Sequence, residues 1–149
     1  MTSSENIALV KRWYREVWRE RKNETIYELL SPDAVVHGHT PSDAPMHGPR
    51  EFAAFAERIR RAFPDTDVVV DDVIAVDDKV AVRWSVTATH SGEGMGSPTG
   101  KLVRVSGMTI ARIVDGQIVE GWDVWDRLGM LEQIGAYTAP ESEILAKIA

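Results

Sequence analysis

At Asp67 the apolar residues of this 149-residue chain change their period. Before it they recur every three or four positions, the spacing of helices that bury one stripe. After it they alternate, as strands with one buried face do. A chain that switches once in this way builds helices first and a sheet afterwards, and lays one on the other to bury both apolar faces. Ile7, Val10, Tyr14, Val17 and Trp18 form the stripe of a first helix, entered near Ser3 or Ser4 and running to about Arg21. A short second helix carries Ile26, Leu29 and Leu30 and stops at Pro32, and Ala34 to His39 reads as a brief strand. Pro49 suits the first turn of a third helix, whose buried face is Phe52, Phe55, Ala56, Ile59 and Phe63 and whose end is Pro64.

Residues 68–76, 80–90, 102–114 and 118–125 read as strands. Asp77-Asp78 and Asp115-Gly116 are tight hairpin turns, the second with the type I′ signature. Between them Ser91 to Gly100 is rich in Gly, Ser and Pro and reads as a longer loop. Leu128 to Ile134 is a last short helix, followed by a weakly helical tail from Glu141 to Ala149. The expected fold is one α+β domain with its core over about residues 5–135 and a tail at 136–149. A curved antiparallel sheet wraps around the three N-terminal helices and leaves an apolar pocket between the layers. The sheet's outer face, carrying Trp122, needs a cover, which a second copy of the chain supplies in a homodimer.

Composition narrows the partners. A net charge of -6, with no basic run longer than Arg60-Arg61, speaks against nucleic acid and against an anionic membrane. Small hydrophobic or aromatic ligands fit better. The absence of cysteine excludes disulfides, thiolate nucleophiles and cysteine metal sites. The first residues carry Glu5 and no apolar leader segment, and no stretch reaches the length of a membrane span, so a cytoplasmic location is expected.

The candidate chemistry lies in Trp122-Asp123-Val124-Trp125-Asp126. On a strand, Val119, Gly121, Asp123 and Trp125 share one face, while Glu120, Trp122, Val124 and Asp126 share the other. A carboxylate set among bulky aromatics has its charged form penalised, which tunes it for taking and giving a proton; the plainer alternative is a buried acid bonded to a neighbouring element. Trp125 then contacts substrate beside Asp123, and Asp126, where strand gives way to helix, caps that helix. His90 ends the strand 80–90, where it either serves the substrate or bonds a loop. His37 and His39 fall on one side of their strand. With His47 they form at most a weak metal candidate, because no acidic ligand joins them at a typical spacing. His37 reads better as a substrate contact at the pocket mouth. Of Trp13, Tyr14, Trp18, Phe52 and Phe55, core packing claims most, with Phe52 and Trp18 the expected pocket residues. Met95 in the glycine-rich loop is a candidate lid residue.

Ser31-Pro32-Asp33, His47-Gly48-Pro49, Ala62-Phe63-Pro64-Asp65, Val82-Arg83-Trp84, Thr89-His90-Ser91-Gly92-Glu93, Pro98-Thr99-Gly100, Ile113-Val114-Asp115-Gly116 and Trp122-Asp123 through Leu128-Gly129 follow one another in the order and spacing of a known family. Over roughly Asn6 to Gly135 the chain resembles the SnoaL-like polyketide (ester) cyclases of the nuclear transport factor 2 superfamily, which are cone-shaped α+β barrels. The resemblance implies that Asp123 is the general acid/base of an intramolecular aldol ring closure that needs neither metal nor nucleotide. It also implies that His90 occupies a position often held by histidine. Thr109 departs from the family pattern, which has a histidine there beside the catalytic acid. A threonine hydroxyl hydrogen-bonds a carbonyl but holds no titrating proton near neutral pH, so either His90 takes that role or the reaction differs. Two alternatives stand beside this one. The first is a limonene-epoxide-hydrolase-like or ketosteroid-isomerase-like enzyme on the same fold, with Arg83 near Asp123 but Ser85 where a second carboxylate is wanted. The second is a non-catalytic small-molecule-binding module.

Overall fold

A computed structural model describes residues 2–137 and 146–148. The first helix, α1 (Ser3–Trp13), opens with a capping box in which Thr2 Oγ1 accepts from the Glu5 backbone N–H and the Glu5 carboxylate accepts from the Thr2 N–H at 2.6 Å. Two otherwise orphaned donors are thereby satisfied. From Tyr14 to Arg19 the helix widens into a π-helical segment, and the turn after it places Arg21 at a φ of 59°. Then come α2 (Asn23–Leu29), β1 (Leu30–His37), the two-residue β2 (Met46–His47) and α3 (Gly48–Ala62), which carries Pro49 in its first turn as expected. Four long strands follow, β3 (Asp67–Val76), β4 (Lys79–Thr89), β5 (Leu102–Val114) and β6 (Gln117–Trp125), before α4 (Arg127–Gln133). Asp115 and Gly116 both take positive φ, at 50° and 77°, as a type I′ hairpin requires. Of the expected helical tail from Glu141, only 146–148 fall within the described residues, and these are helical.

The six strands form one unclosed sheet in the order β2-β1-β6-β5-β4-β3. Neighbours joined by short turns are antiparallel, as expected, but β1 runs parallel to β6. A hairpin turn dictates antiparallel pairing only for the strands that it joins. Most of the chain lies between β1 and β6, so packing decides their direction. β1 also starts at Leu30, inside the expected second helix. Pro32 cannot continue a helix, and the irregular register between Leu30 and Val35 absorbs it into a strand instead.

The helices cover the concave face, α3 over β1 and α1 over β3 and β4. Val10, Val17, Ile26, Leu30, Ala56 and Val80 are buried at that contact. The opposite face leaves Ile74, Met108, Ile110, Trp122 and Val124 exposed, Val124 at 76%. Among the described residues no helix is long and apolar enough to cross a membrane.

One backbone position governs how the end of β1 meets β6. Gly38 takes a φ of +100°, and a Cβ there would lie 1.8 Å from the Asp123 carbonyl oxygen. Gly38→Ala therefore combines left-handed strain with a backbone collision and should cost about 3 kcal/mol. Thermal unfolding should show this as a Tm lower by roughly 6–12 °C.

Candidate active site

β6 brings Asp123 to the centre of the concave face. Asp123 stands opposite Thr109 on β5, with Gly121 and Trp125 on the same side. The alternation expected for this strand holds, since Trp122 and Val124 face outward. Gly121 contributes no side chain and leaves room beside the acid. Asp126 accepts from the Gly129 N–H at 2.9 Å and caps α4, as expected.

Both oxygens of the Asp123 carboxylate are engaged. Thr109 Oγ1 donates to Oδ1, and His39 Nε2 lies 3.0 Å from Oδ2. The Asp123 and His39 side chains are only 10% and 8% exposed. Thr109 in turn accepts from Tyr14 Oη at 2.9 Å and from Trp84 Nε1 at 3.0 Å. An indole N–H can only donate. With two donors on its lone pairs, the hydroxyl has one proton to give, and it goes to Asp123. Burial, and then the Asp123 charge, push the Tyr14 phenol well above its ordinary range, which keeps it a neutral donor to Thr109 near neutral pH.

His39 corrects a sequence expectation. Strand alternation puts His37 and His39 on one side, yet Gly38 in the left-handed region ends β1 at His37 and turns the next residue over. His37 faces outward, 2.8 Å from Glu120 and stacked on Trp122 at 5.8 Å. It is no pocket contact. His39 faces inward, its ring 4.4 Å from that of Phe55 and 6.0 Å from that of Phe52. His47 is exposed, and its backbone N–H donates to Glu51. The three histidines do not converge, and no group of three or more potential metal-ligating side chains occurs among the described residues.

The cavity over Asp123 offers about 1080 Å³ of empty space when the open solvent at its mouth is counted. Trp18, Phe52, Trp125, Thr109 and Asp123 line it as expected. So do Trp13, Tyr14 and Phe55, which the helical spacing had assigned chiefly to core packing. The π-helical segment accounts for part of this. Its wider turn sets Trp18 near Phe52 at 6.1 Å while Trp13 meets the same ring at 5.1 Å, so two indoles flank one phenyl. Gly107 does similar work on β5, because a Cβ there would meet Trp84 at 2.5 Å and Trp125 at 2.7 Å.

Two expected residues stand elsewhere. His90 is buried away from the cavity lining, where Nδ1 pairs with Thr99 Oγ1 at 3.0 Å, its ring lies 5.4 Å from that of Phe63, and its carbonyl accepts from the Thr99 and Gly100 N–H groups. It pins the loop after β4. Met95 packs against a secondary core of Phe63, Val103 and Met130, behind the cavity wall. Arg83 also points outward, bonded to Asp72 at 2.8 Å, so no Asp-Arg-Asp set forms around Asp123. The residues that sequence reasoning missed are His39 as partner of Asp123, and Tyr14 and Trp84 as partners of Thr109. Only Gly38, the left-handed breaker before His39, was a signal for the first.

The chain matches the family model of the SnoaL-like polyketide cyclases over residues 8–134. Among solved structures it is similar to IdmH of Streptomyces antibioticus, a candidate polyketide cyclase, at 31% identity and a TM-score of 0.76, covering 87% of this chain and 98% of that one. It is also similar to AclR of Streptomyces galilaeus, a candidate hydroxylase, at 32% identity and a TM-score of 0.82, covering 97% and 95%. A candidate SnoaL-like polyketide cyclase of Jannaschia sp. CCS1 shows 25% identity and a TM-score of 0.80 over 91% and 95%. No curated protein matches the chain.

The Thr109 bonds give a direct test. Thr109→Val keeps the shape but strands the Trp84 N–H and the Tyr14 O–H, and should cost about 1–3 kcal/mol in urea unfolding. Thr109→Ser, which keeps the hydroxyl, should recover most of that loss.

Proposed function

Because the chain belongs to the SnoaL-like polyketide cyclase family, we propose that it closes a ring in a neutral, largely apolar substrate by an intramolecular aldol reaction whose proton transfers depend on the Asp123 carboxylate. The observation that carries this reading is a buried carboxylate on the floor of an otherwise apolar cavity, held at both oxygens by Thr109 and His39. A group so fixed meets the substrate in one geometry, which is where much of the advantage of an intramolecular reaction is gained. Aromatic walls from α1 and α3 fold the substrate against that floor. Trp125 Nε1 is buried and has no hydrogen-bond partner among the described residues, so it is available to a substrate carbonyl oxygen on which enolate charge develops. Atoms balance within the substrate: the carbon beside a carbonyl loses a proton, the enolate attacks a ketone of the same molecule, and the proton returns to the new alkoxide.

The likeness to AclR supports a second reading, in which the substrate is hydroxylated with an oxidant supplied from outside the chain. Product mass separates the two, since simple closure leaves it unchanged and hydroxylation adds an oxygen atom.

The exposed row of Met108, Ile110, Trp122 and Val124 supports a homodimer through the outer sheet face. Val124→Glu should then shift the light-scattering mass from two chains to one without loss of the far-UV spectrum. Conversion of a linear anthraquinone-type polyketide methyl ester, followed by mass-resolved chromatography, tests the reaction. Asp123→Asn should reduce closure by at least about a hundredfold. Equal turnover by the folded variant would sink the reading.

A further inference from the structure

The geometry points to His39, through its Nδ1 atom, as the group that takes the proton from substrate carbon and returns it to the alkoxide, with Asp123 as the positioning residue behind it. This rests on the cyclase reading above and specifies which atom of the Asp123 centre meets the substrate.

The carboxylate sets the protonation pattern. With Asp123 ionised, Oδ1 accepts from Thr109 and Oδ2 lies 3.0 Å from His39 Nε2, where a bare lone pair would face the negative charge, so the neutral imidazole is favoured with its proton on Nε2. A neutral imidazole protonated there has its free lone pair on Nδ1. Nδ1 is buried, has no hydrogen-bond partner among the described residues, and belongs to a ring that lines the cavity. A buried polar atom left unpaired in this way is costly unless it is used. Several other polar side chains of the lining are already committed. Tyr14 and Trp84 are spent on Thr109, Thr109 is spent on Asp123, and Thr66 donates to the Phe63 carbonyl at 2.6 Å. Among the described residues, His39 Nδ1 is a buried basic nitrogen of the lining without a hydrogen-bond partner, and Trp125 Nε1 a buried donor without one.

The proton count closes. The substrate C–H bond breaks, its proton forms a bond to Nδ1, and its electron pair becomes the enolate. The resulting imidazolium places its positive charge 3.0 Å from the ionised Asp123 oxygen, which stabilises it more than the neutral ring. After carbon–carbon bond formation, the alkoxide takes the proton from Nδ1 and the starting state returns. Phe52 and Phe55 hold the ring, and Gly38 makes its inward turn possible. The scheme also accounts for the threonine at position 109. An imidazole still adjoins the acid, but it arrives from the end of β1 and bonds the other carboxylate oxygen.

The test begins with the native protein labelled with ¹⁵N-histidine. At neutral pH the His39 signals, identified by their loss in His39→Gln, should show a protonated Nε2 and a bare Nδ1. Protonation at Nδ1 in that state would overturn the proposal whatever the substrate. Turnover then separates the levels. His39→Gln keeps an N–H for Asp123 but has no basic nitrogen, so closure should fall by about a hundredfold or more. His39→Ala should regain part of its closure when free imidazole is added. If His39→Gln stays within about threefold of native while Asp123→Asn is inactive, the carboxylate itself meets the substrate, and His39 as base is excluded while the cyclase reading stands. If Asp123→Asn is also fully active, it is the cyclase reading that fails.

Discussion

Three elements converge on the single hydroxyl oxygen of Thr109. The π-helical segment that continues α1 supplies the Tyr14 phenol, β4 the Trp84 indole, and β6 the Asp123 carboxylate that receives the hydroxyl hydrogen bond. One oxygen with two lone pairs and one proton can satisfy three such partners in one arrangement only, so the helix, the sheet and the acid hold one another in register. The cost of breaking the set is high because every member is buried or half-buried, and a stranded donor has no water to turn to. The position of the carboxylate, the floor of the cavity and the packing of α1 are consequences of that accounting.

The two faces of the sheet divide the labour. On the concave face, Gly121 and Gly107 create space, while Trp84, Trp125 and the aromatic residues of α1 and α3 shape it. On the convex face, His37 pairs with Glu120 and Arg83 with Asp72, half-exposed around an apolar row. Because β-strand side chains alternate, a residue one position away from a catalytic group serves the other face altogether. His37 and His39 would share a face on a regular strand, and a single left-handed glycine between them sends one to each.

The helices and long strands were legible in the sequence to within a residue or two at most ends, because apolar period, proline and the Asp-Gly turn are local signals that the backbone obeys locally. The alternation along β6 likewise placed Asp123 and Trp125 inward correctly. What was not legible involved pairs distant in sequence. The parallel pairing of β1 with β6, the bonds from Tyr14 and Trp84 to Thr109, and the contact of His39 with Asp123 each join residues that no local pattern links. His90 was misplaced for a related reason. It stands one residue beyond β4, where the loop's own backbone claims its carbonyl and its ring.

By itself, then, the order of residues determined that three helices precede the four long strands, which faces of those strands are apolar, and that an acid stands among aromatics near the end of the last strand. It did so because helix and strand periods are properties of successive residues. The partners of that acid were decided only in the tertiary structure. A hydrogen bond depends on where two distant side chains meet within a few tenths of an ångström, and that distance is set by the packing of α1 and β1 against β5 and β6.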